Sequence, residues 1–338
     1  MNSLKSDALL AGIDNLSFDN RKFSPSKDDI ERICNFFSIG KLKSYKNEKN
    51  IVISHSNFFV FVSTAQGKYA LKFYPPDTAQ LIAIEYATNR LLVDQNFQTP
   101  IMHAGTHGRP FIASNGRLAT CYSFISGRPG WQCIKQQATI QQINTALLSL
   151  KNILSTSKAR IPIQKQDNLL KTVNALAQES RLIAPYDQKI IIDRSLLDIC
   201  QTYQDRQPLF IRQKLHNNIN LTNFLIYKKK IHLLDLSHVK EDYYLADLVS
   251  LVISCLFFNI PMTTIKNITQ DYFTQHKMDH RHFYVLNVLI KTGLIKEYLK
   301  NIRREKSISL PTNPPRLEKT YLSQLRARQK SIMTQLKK

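Results

Sequence analysis

Between residues 215 and 247 the sequence reads LHNNINLTNFLIYKKKIHLLDLSHVKEDYYLAD. Four side chains in it stand out as able to bind or react: His216, Asn218, Asn223 and Asp235. One imidazole, two carboxamides and one carboxylate in quick succession make a polar binding site rather than a stretch of packing. Such residues act together only if something rigid holds them, because functional loops are carried by a scaffold. The flanking runs supply it. FLIY and IHLLDL are apolar β-formers on either side of the basic turn 228–230, which is the pattern of a hairpin whose strand mouths bring the polar residues to one point.

The elements around this hairpin can be read in order. Ser26 followed by Asp29 and the run IERICNFF, with Gly40 beyond it, predicts a helix with an N-cap and a C-terminal glycine. Residues 42–74 change to β texture in three runs, LKSYKNEKNIVIS, NFFVFVST and KYALKFY, with the turn AQGK before the third. Three antiparallel strands follow from that. After Pro75 and Pro76 the apolar residues Leu81, Ile84, Leu91 and Leu92 recur at helical spacing, and Glu85 lies on that helix. Short strands are expected again in IMHAG, RPFIAS and LATCYSFI, then one helix over 131–154. From there the chain reads as largely helical, with the hairpin as its one β island. The boundaries this implies are a leader at 1–25, a small mostly-β part at 26–126, a helical part at 127–302 that contains the hairpin, and a basic tail at 303–338.

Composition narrows the function classes. A chain of 338 residues with 43% hydrophobic residues is globular, of one large or two modest domains. The net charge of +22 favours anionic partners. The tail from Arg303 holds ten Lys or Arg against Glu305 and Glu318, so an anionic partner is expected there if anywhere. No dense basic block interleaved with aromatics argues for nucleic-acid binding as the main function. Five cysteines without a CxxC pair argue against a zinc site or disulfide framework and for a reducing, cytoplasmic setting. The longest uncharged stretch, 248–265, is interrupted by Ser250, Ser254, Asn259 and Pro261, and reads as a buried core helix rather than a membrane span.

The order of these pieces resembles the aminoglycoside phosphotransferase and choline kinase superfamily, nearest the type II homoserine kinase and stress-response kinase branch. The resemblance is carried by SNFFVFVSTAQGKYALKFY, IEYATNRLL, QTPIMHAGTHGRPF, CYSFISGRPG, HNNINLTNFLI, LLDLSHV and YYLADL, and spans roughly residues 26–300. It implies an α+β, two-lobed protein-kinase-like fold, with a small antiparallel β N-lobe that binds nucleotide and a larger helical C-lobe. It implies ATP and magnesium as cofactors and a small-molecule hydroxyl as acceptor. By the same resemblance Lys72 is the strand lysine that meets ATP phosphates and Glu85 its helix partner. The linker CYSFIS faces adenine, with Phe124 a ring contact. Asn223 and Asp235 are the magnesium ligands, oxygen donors suited to a hard cation. His216 is a structural residue of the loop, and Asp247 braces the loop from the next helix.

Two departures from the family pattern matter. The pattern His-x-Asp-x-x-x-x-Asn has Asn218 where the catalytic Asp belongs. A carboxylate can accept the acceptor hydroxyl's proton and an amide cannot. The first loop, ISHSNF, also lacks the glycine relatives often carry. Two function classes follow: a phosphotransferase with weakened or unusual chemistry, or a pseudokinase, meaning a nucleotide-binding or scaffolding module that engages a partner.

Overall fold

The computed structural model describes residues 23–47, 58–134, 136–156, 164–165, 168–307, 330 and 333–335. The 1–25 leader up to residue 22, the first loop up to residue 57 and most of the 303–338 tail lie outside the described residues. The chain divides into two compact units. One joins 1–130 with 157–162 and 222–239, and the other joins 131–156, 163–221 and 240–338.

The first unit is built on an antiparallel sheet. Helix α1 (Lys27–Phe36) opens with the expected cap: Asp29 N–H donates to Ser26 Oγ at 3.1 Å while Ser26 N–H donates back to Asp29 Oδ2 at 3.0 Å. Strands β1 (Leu42–Asn47), β2 (Phe58–Thr64) and β3 (Lys68–Tyr74) run antiparallel in that order. Helix α2 (Ala79–Asp94) follows, then β4 (Ile112–Ser114) and β5 (Arg117–Ser123), with β5 inserted between β3 and β4. The expected strand IMHAG is reduced to one bridge, Met102 to Tyr122. Alternation along β3 and β5 divides the sheet into two faces. Leu71, Phe73, Ala119 and Cys121 pack with Ile30, Ile33 and Cys34 of α1. Tyr74, Leu118 and Tyr122 pack with Ile82 of α2 and Met102.

The hairpin differs from its expected place: it belongs to the first unit. Its strands Phe224–Tyr227 and Lys230–Leu233 pair with β6 (Arg128–Pro129) through the first of them. Leu233 N–H donates to Gln98 O at 3.0 Å, and Thr99 Oγ1 donates to Leu233 O at 2.9 Å. Gly127 allows the approach, since a Cβ there would lie 2.9 Å from Leu225 Cβ. The hairpin turns on Lys228 and Lys229, both at positive φ (48° and 61°). That is the backbone of a two-residue primed turn, here made without glycine.

The second unit is mainly helical. The helix expected over 131–154 is interrupted: a single turn, Gly130–Cys133, precedes α3 (Gln137–Thr156). On α3, Ile140, Ile143, Leu147, Leu150 and Leu154 form the buried stripe. Helices α4 (Leu169–Ile183), α5 (Tyr186–Arg206), α6 (Ala246–Phe257), α7 (Met262–Gln275) and α8 (His282–Ser307) follow. The apolar stretch 248–265 is two helices, broken by Asn259 at φ 51° and Pro261. Asn144 Nδ2 ties α3 to α7 by donating to Ile268 O and Asp271 Oδ2 at 3.0 and 2.8 Å. Helix α8 runs past the expected tail boundary at 303. Ile302 is buried, and Arg303 Nε lies 2.8 Å from Glu179 Oε1 on α4 as an ion pair without hydrogen-bond geometry. A three-stranded sheet has Lys240–Tyr243 at its centre, parallel to Gln164–Lys165 and antiparallel to Arg212–Leu215. The fold is therefore α+β, an antiparallel N-lobe sheet and a helical C-lobe. No helix among the described residues is long and apolar enough to cross a membrane.

Candidate active site

In the first unit the structure brings Lys72, Glu85 and Asp235 together. Lys72 sits on the α2-facing side of β3, two residues before Tyr74. Glu85 is on the buried face of α2 with Ile82, Asn89 and Leu92. Lys72 Nζ donates to Glu85 Oε2 at 3.3 Å and Oε1 at 3.5 Å, and to Asp235 Oδ1 at 2.8 Å. The side chains of Lys72 and Glu85 are 4% and 2% exposed, that of Asp235 23%. One cation thus serves two carboxylates in a largely dry setting. Burial works against the Lys72 ammonium, but Asp235 and Glu85 more than offset it and hold the lysine above its ordinary range. Burial also disfavours the Asp235 carboxylate, and Lys72 overrides this and holds the acid well below the usual range.

Asp235 occupies a strained backbone. It stands at φ 58° and ψ 68°, the left-handed region, where it opens the 3-10 turn Leu236–His238. A non-glycine residue there costs about 1–3 kcal/mol and persists when its surroundings fix it. Ser237 Oγ donates to Asp235 Oδ1 at 2.9 Å. One step back, Leu234 N–H donates to Asn223 O at 2.8 Å, which ties Asn223 to the residue before Asp235.

Two tyrosines that the sequence reading passed over belong to this cluster. Tyr74 Oη donates to Glu85 Oε2 at 2.5 Å and lies 3.2 Å from Tyr122 Oη. Alternation along KYALKFY places Tyr74 on the face of Lys72, and that was the available signal. Phe124 is partly exposed and meets Phe61 edge-on at 5.3 Å. The backbone N–H groups of Ser123 and Phe124 donate to Ile101 O and Lys68 O, so at these two positions the linker spends its donors internally.

In the second unit the loop after strand Arg212–Leu215 carries His216, Asn217 and Asn218. His216 is fully buried. Its Nδ1 accepts from Asn218 N–H at 3.2 Å, and Asn220 Nδ2 donates to Asn218 Oδ1 at 2.9 Å. Asn217 takes φ 62°. Its amide Nδ2 donates to Leu215 O and Lys240 O. Asp247, in the first turn of α6, accepts the N–H groups of His216 at 3.1 Å and Asn217 at 2.7 Å. Burial pushes its carboxyl up to about 7, against those two donors, which pull it down.

The donor chemistry can be tested against magnesium. Asn223 and Asp235 offer an amide oxygen and a carboxylate, the hard donors that cation takes. No group of three or more His, Cys, Asp or Glu able to hold a metal occurs among the described residues. Magnesium fits such a sparse set because it usually keeps waters and takes phosphate oxygens for its remaining ligands.

The sequence profile of the phosphotransferase enzyme family matches residues 51–282. No curated protein sequence matches the chain. Among solved structures, the amicoumacin kinase hAmiN in complex with AMP-PNP, Ca2+ and Ami is similar at TM-score 0.68 and 13% identity, over 92% of this chain and 94% of that one. The microcompartment-associated aminopropanol kinase is similar at TM-score 0.68 and 11% identity, over 92% and 97%. An aminoglycoside phosphotransferase from Alicyclobacillus acidocaldarius subsp. acidocaldarius DSM 446 is similar at TM-score 0.64 and 10% identity, over 94% and 98%.

Proposed function

The chain belongs to the phosphotransferase enzyme family, and from that premise we propose that it is an ATP- and magnesium-dependent kinase acting on a small-molecule hydroxyl. The observation that carries this reading is the buried Lys72 ammonium held by Glu85 at 3.3 Å and Asp235 at 2.8 Å. A cation fixed between two carboxylates is a preorganised partner for phosphate oxygens, and phosphoryl transfer depends mainly on positioning and charge stabilisation. Lys72 meets the phosphates and Glu85 holds it in place. Asn223 and Asp235 would hold magnesium, which when bound neutralises phosphate charge. Phe124, partly exposed beside Phe61, is the ring contact for the base.

Asn218 sets the limit on the chemistry. Its amide can orient the acceptor hydroxyl by a hydrogen bond and cannot take the proton, which must leave to water or a phosphoryl oxygen. General-base help is typically worth about 10²–10⁴ in rate, so a slow enzyme is expected. Structural relatives include a kinase of aminopropanol and an aminoglycoside phosphotransferase, which makes amino alcohols and aminoglycosides the first acceptors to try. ATP consumption with a panel of amino alcohols, aminoglycosides and sugars tests the reading. Turnover no higher than that of the Asp235→Ala variant refutes it.

Asn218 also favours a second reading, a pseudokinase that binds nucleotide and engages a partner. Under it Mg-ATP binds and no acceptor is phosphorylated. The setting is cytoplasmic in both readings. In both, the basic sequence beyond 307 is assigned to an anionic partner, and that role predicts binding that weakens steeply with salt.

A further inference from the structure

We infer that Tyr74 is a positioning residue for Lys72, acting through Glu85. Three contacts carry this. Tyr74 Oη donates to Glu85 Oε2, a bond that only the phenol can donate to a carboxylate. The same hydroxyl lies 3.2 Å from Tyr122 Oη, so a chain runs from Tyr122 through Tyr74 and Glu85 to the ammonium. Lys72 Nζ also stands 4.5 Å from the centroid of the Tyr74 ring. Tyr74 therefore touches both members of the pair, the carboxylate by its hydroxyl and the ammonium by its ring.

The geometry gives that hydroxyl a specific task. Lys72 is pulled by two carboxylates, and Asp235 at 2.8 Å holds it more closely than Glu85 at 3.3 Å. A Glu85 free to rotate about its side-chain bonds would leave Lys72 to Asp235 alone. Tyr74 removes that freedom, because its ring is locked between β3 and α2 at 2% exposure and its hydroxyl fixes Oε2. Burial keeps the phenol protonated and so a donor at any working pH. Tyr122 orients the same hydroxyl from β5.

Tyr74→Phe removes the hydroxyl and keeps the ring, which isolates the proposed role. The inference rests on the phosphotransfer reading for its kinetic consequence but not for its physical one, and the experiment separates the two. In thermal unfolding, Tyr74→Phe and Lys72→Met are combined in a double-mutant cycle, repeated in the Glu85→Gln background. The expected result is non-additivity of roughly 2–4 °C or more with Glu85 present, and additivity without it. Should Lys72→Met fail to fold, Lys72→Arg carries the cycle. A cycle that is additive in both backgrounds, or equally coupled in both, overturns the inference. Where turnover is measurable, Tyr74→Phe lowers kcat about tenfold with the acceptor KM unchanged, and Tyr122→Phe does less. A kcat within twofold of wild type also overturns it. If the wild type neither binds nor turns over Mg-ATP, the phosphotransfer reading fails while the unfolding cycle still decides the role of Tyr74.

Discussion

Replacing Lys72 with methionine keeps the unbranched stem one atom shorter and removes the charge. Glu85 and Asp235 then lose the ammonium that lies 3.3 Å and 2.8 Å from them. Removing one partner of a buried ion pair costs about 3–5 kcal/mol. Here one cation serves two carboxylates, so Lys72→Met belongs at the upper end, about 5 kcal/mol. Domains are stable by about 5–15 kcal/mol, so that is a large share. Glu85→Gln is milder: Lys72 keeps Asp235, Tyr74 donates to the amide oxygen, and the cost is about 1–3 kcal/mol. The double variant has one buried carboxylate fewer, so it falls short of the sum by about 0.5–3 kcal/mol. Urea unfolding at neutral pH, followed by circular dichroism, measures all three. The effect also depends on pH with a definite sign. The folded pKa of Asp235 is lowered by Lys72, so its contribution is present above about pH 3.9 and lost as pH falls through the folded value. The folded pKa of Lys72 is raised by both acids, so its share is present below about pH 10.4 and lost only as pH rises through its folded value. The gap between wild type and Lys72→Met is therefore widest between those limits and narrows in acid. A loss below about 1 kcal/mol at pH 7, or a gap that does not narrow in acid, refutes the reasoning.

Other substitutions test the second unit and the tail. Asn218→Asp leaves the Asn220 amide a carboxylate oxygen to bond, so stability should hold while turnover rises by about 10²–10⁴; a fast wild type that gains nothing would show that Asn218 is no handicap. Asp247 has its folded pKa pushed up to about 7, so its contribution to stability is present below about pH 3.9 and is lost as pH rises through 7, by about 4 kcal/mol in all. Asp247→Asn should flatten that fall, at the cost of one backbone N–H left without its acceptor; equal pH slopes for variant and wild type would contradict it. A truncation after Ser307 spares the Arg303–Glu179 pair but removes the buried Met333, so it should weaken any salt-sensitive binding to an anionic polymer and lower the unfolding temperature slightly; unchanged binding would rule out the tail as the anionic contact.

The sequence made the first unit legible because its signals are local. The cap at Ser26, the β texture of 42–74 and the helical spacing of Leu81, Ile84, Leu91 and Leu92 are each set within one element, although the face that α2 buries is Ile82, Ile84, Glu85, Thr88, Asn89 and Leu92, with Leu81 and Leu91 only partly covered. The resemblance paired Lys72 with Glu85 and gave Asp235 a separate role; that Asp235 also meets Lys72, across 163 positions, is a contact that no local signal shows. What stayed hidden was pairing between elements. The hairpin reads as part of the helical half because its neighbours in sequence are helical, yet β6 and the carbonyl of Gln98 claim it. Tyr74 and Tyr122 read as ordinary strand aromatics, since nothing within one strand says that two hydroxyls will meet a carboxylate from α2. The break at Asn259 was visible as Asn-x-Pro and was outweighed by the apolar run on either side.

The energetics of the first unit bear on the choice between an enzyme and a bare scaffold. Buried ion pairs are poor stabilisers, and replacing one with packed apolar residues of similar volume is often neutral or stabilising by about 1–4 kcal/mol. A module kept only for its shape would gain by filling the space of Lys72, Glu85 and Tyr74 with hydrophobic side chains, and would have no reason to hold Asp235 at φ 58°. Here the charges and the strained backbone occur together. That combination is what a site under chemical demand tolerates, because the strain and the desolvated charge are useful only when a ligand meets them. The cluster therefore argues for anion handling, and the question left to Asn218 is whether a slow reaction follows or binding alone. The comparison that decides it is Mg-ATP affinity in wild type, Lys72→Met and Asn218→Asp. Tight binding lost in the first and kept in the last, with turnover rising only in the last, fits a slow kinase; binding unaffected by Lys72→Met would mean that the triad is structural after all.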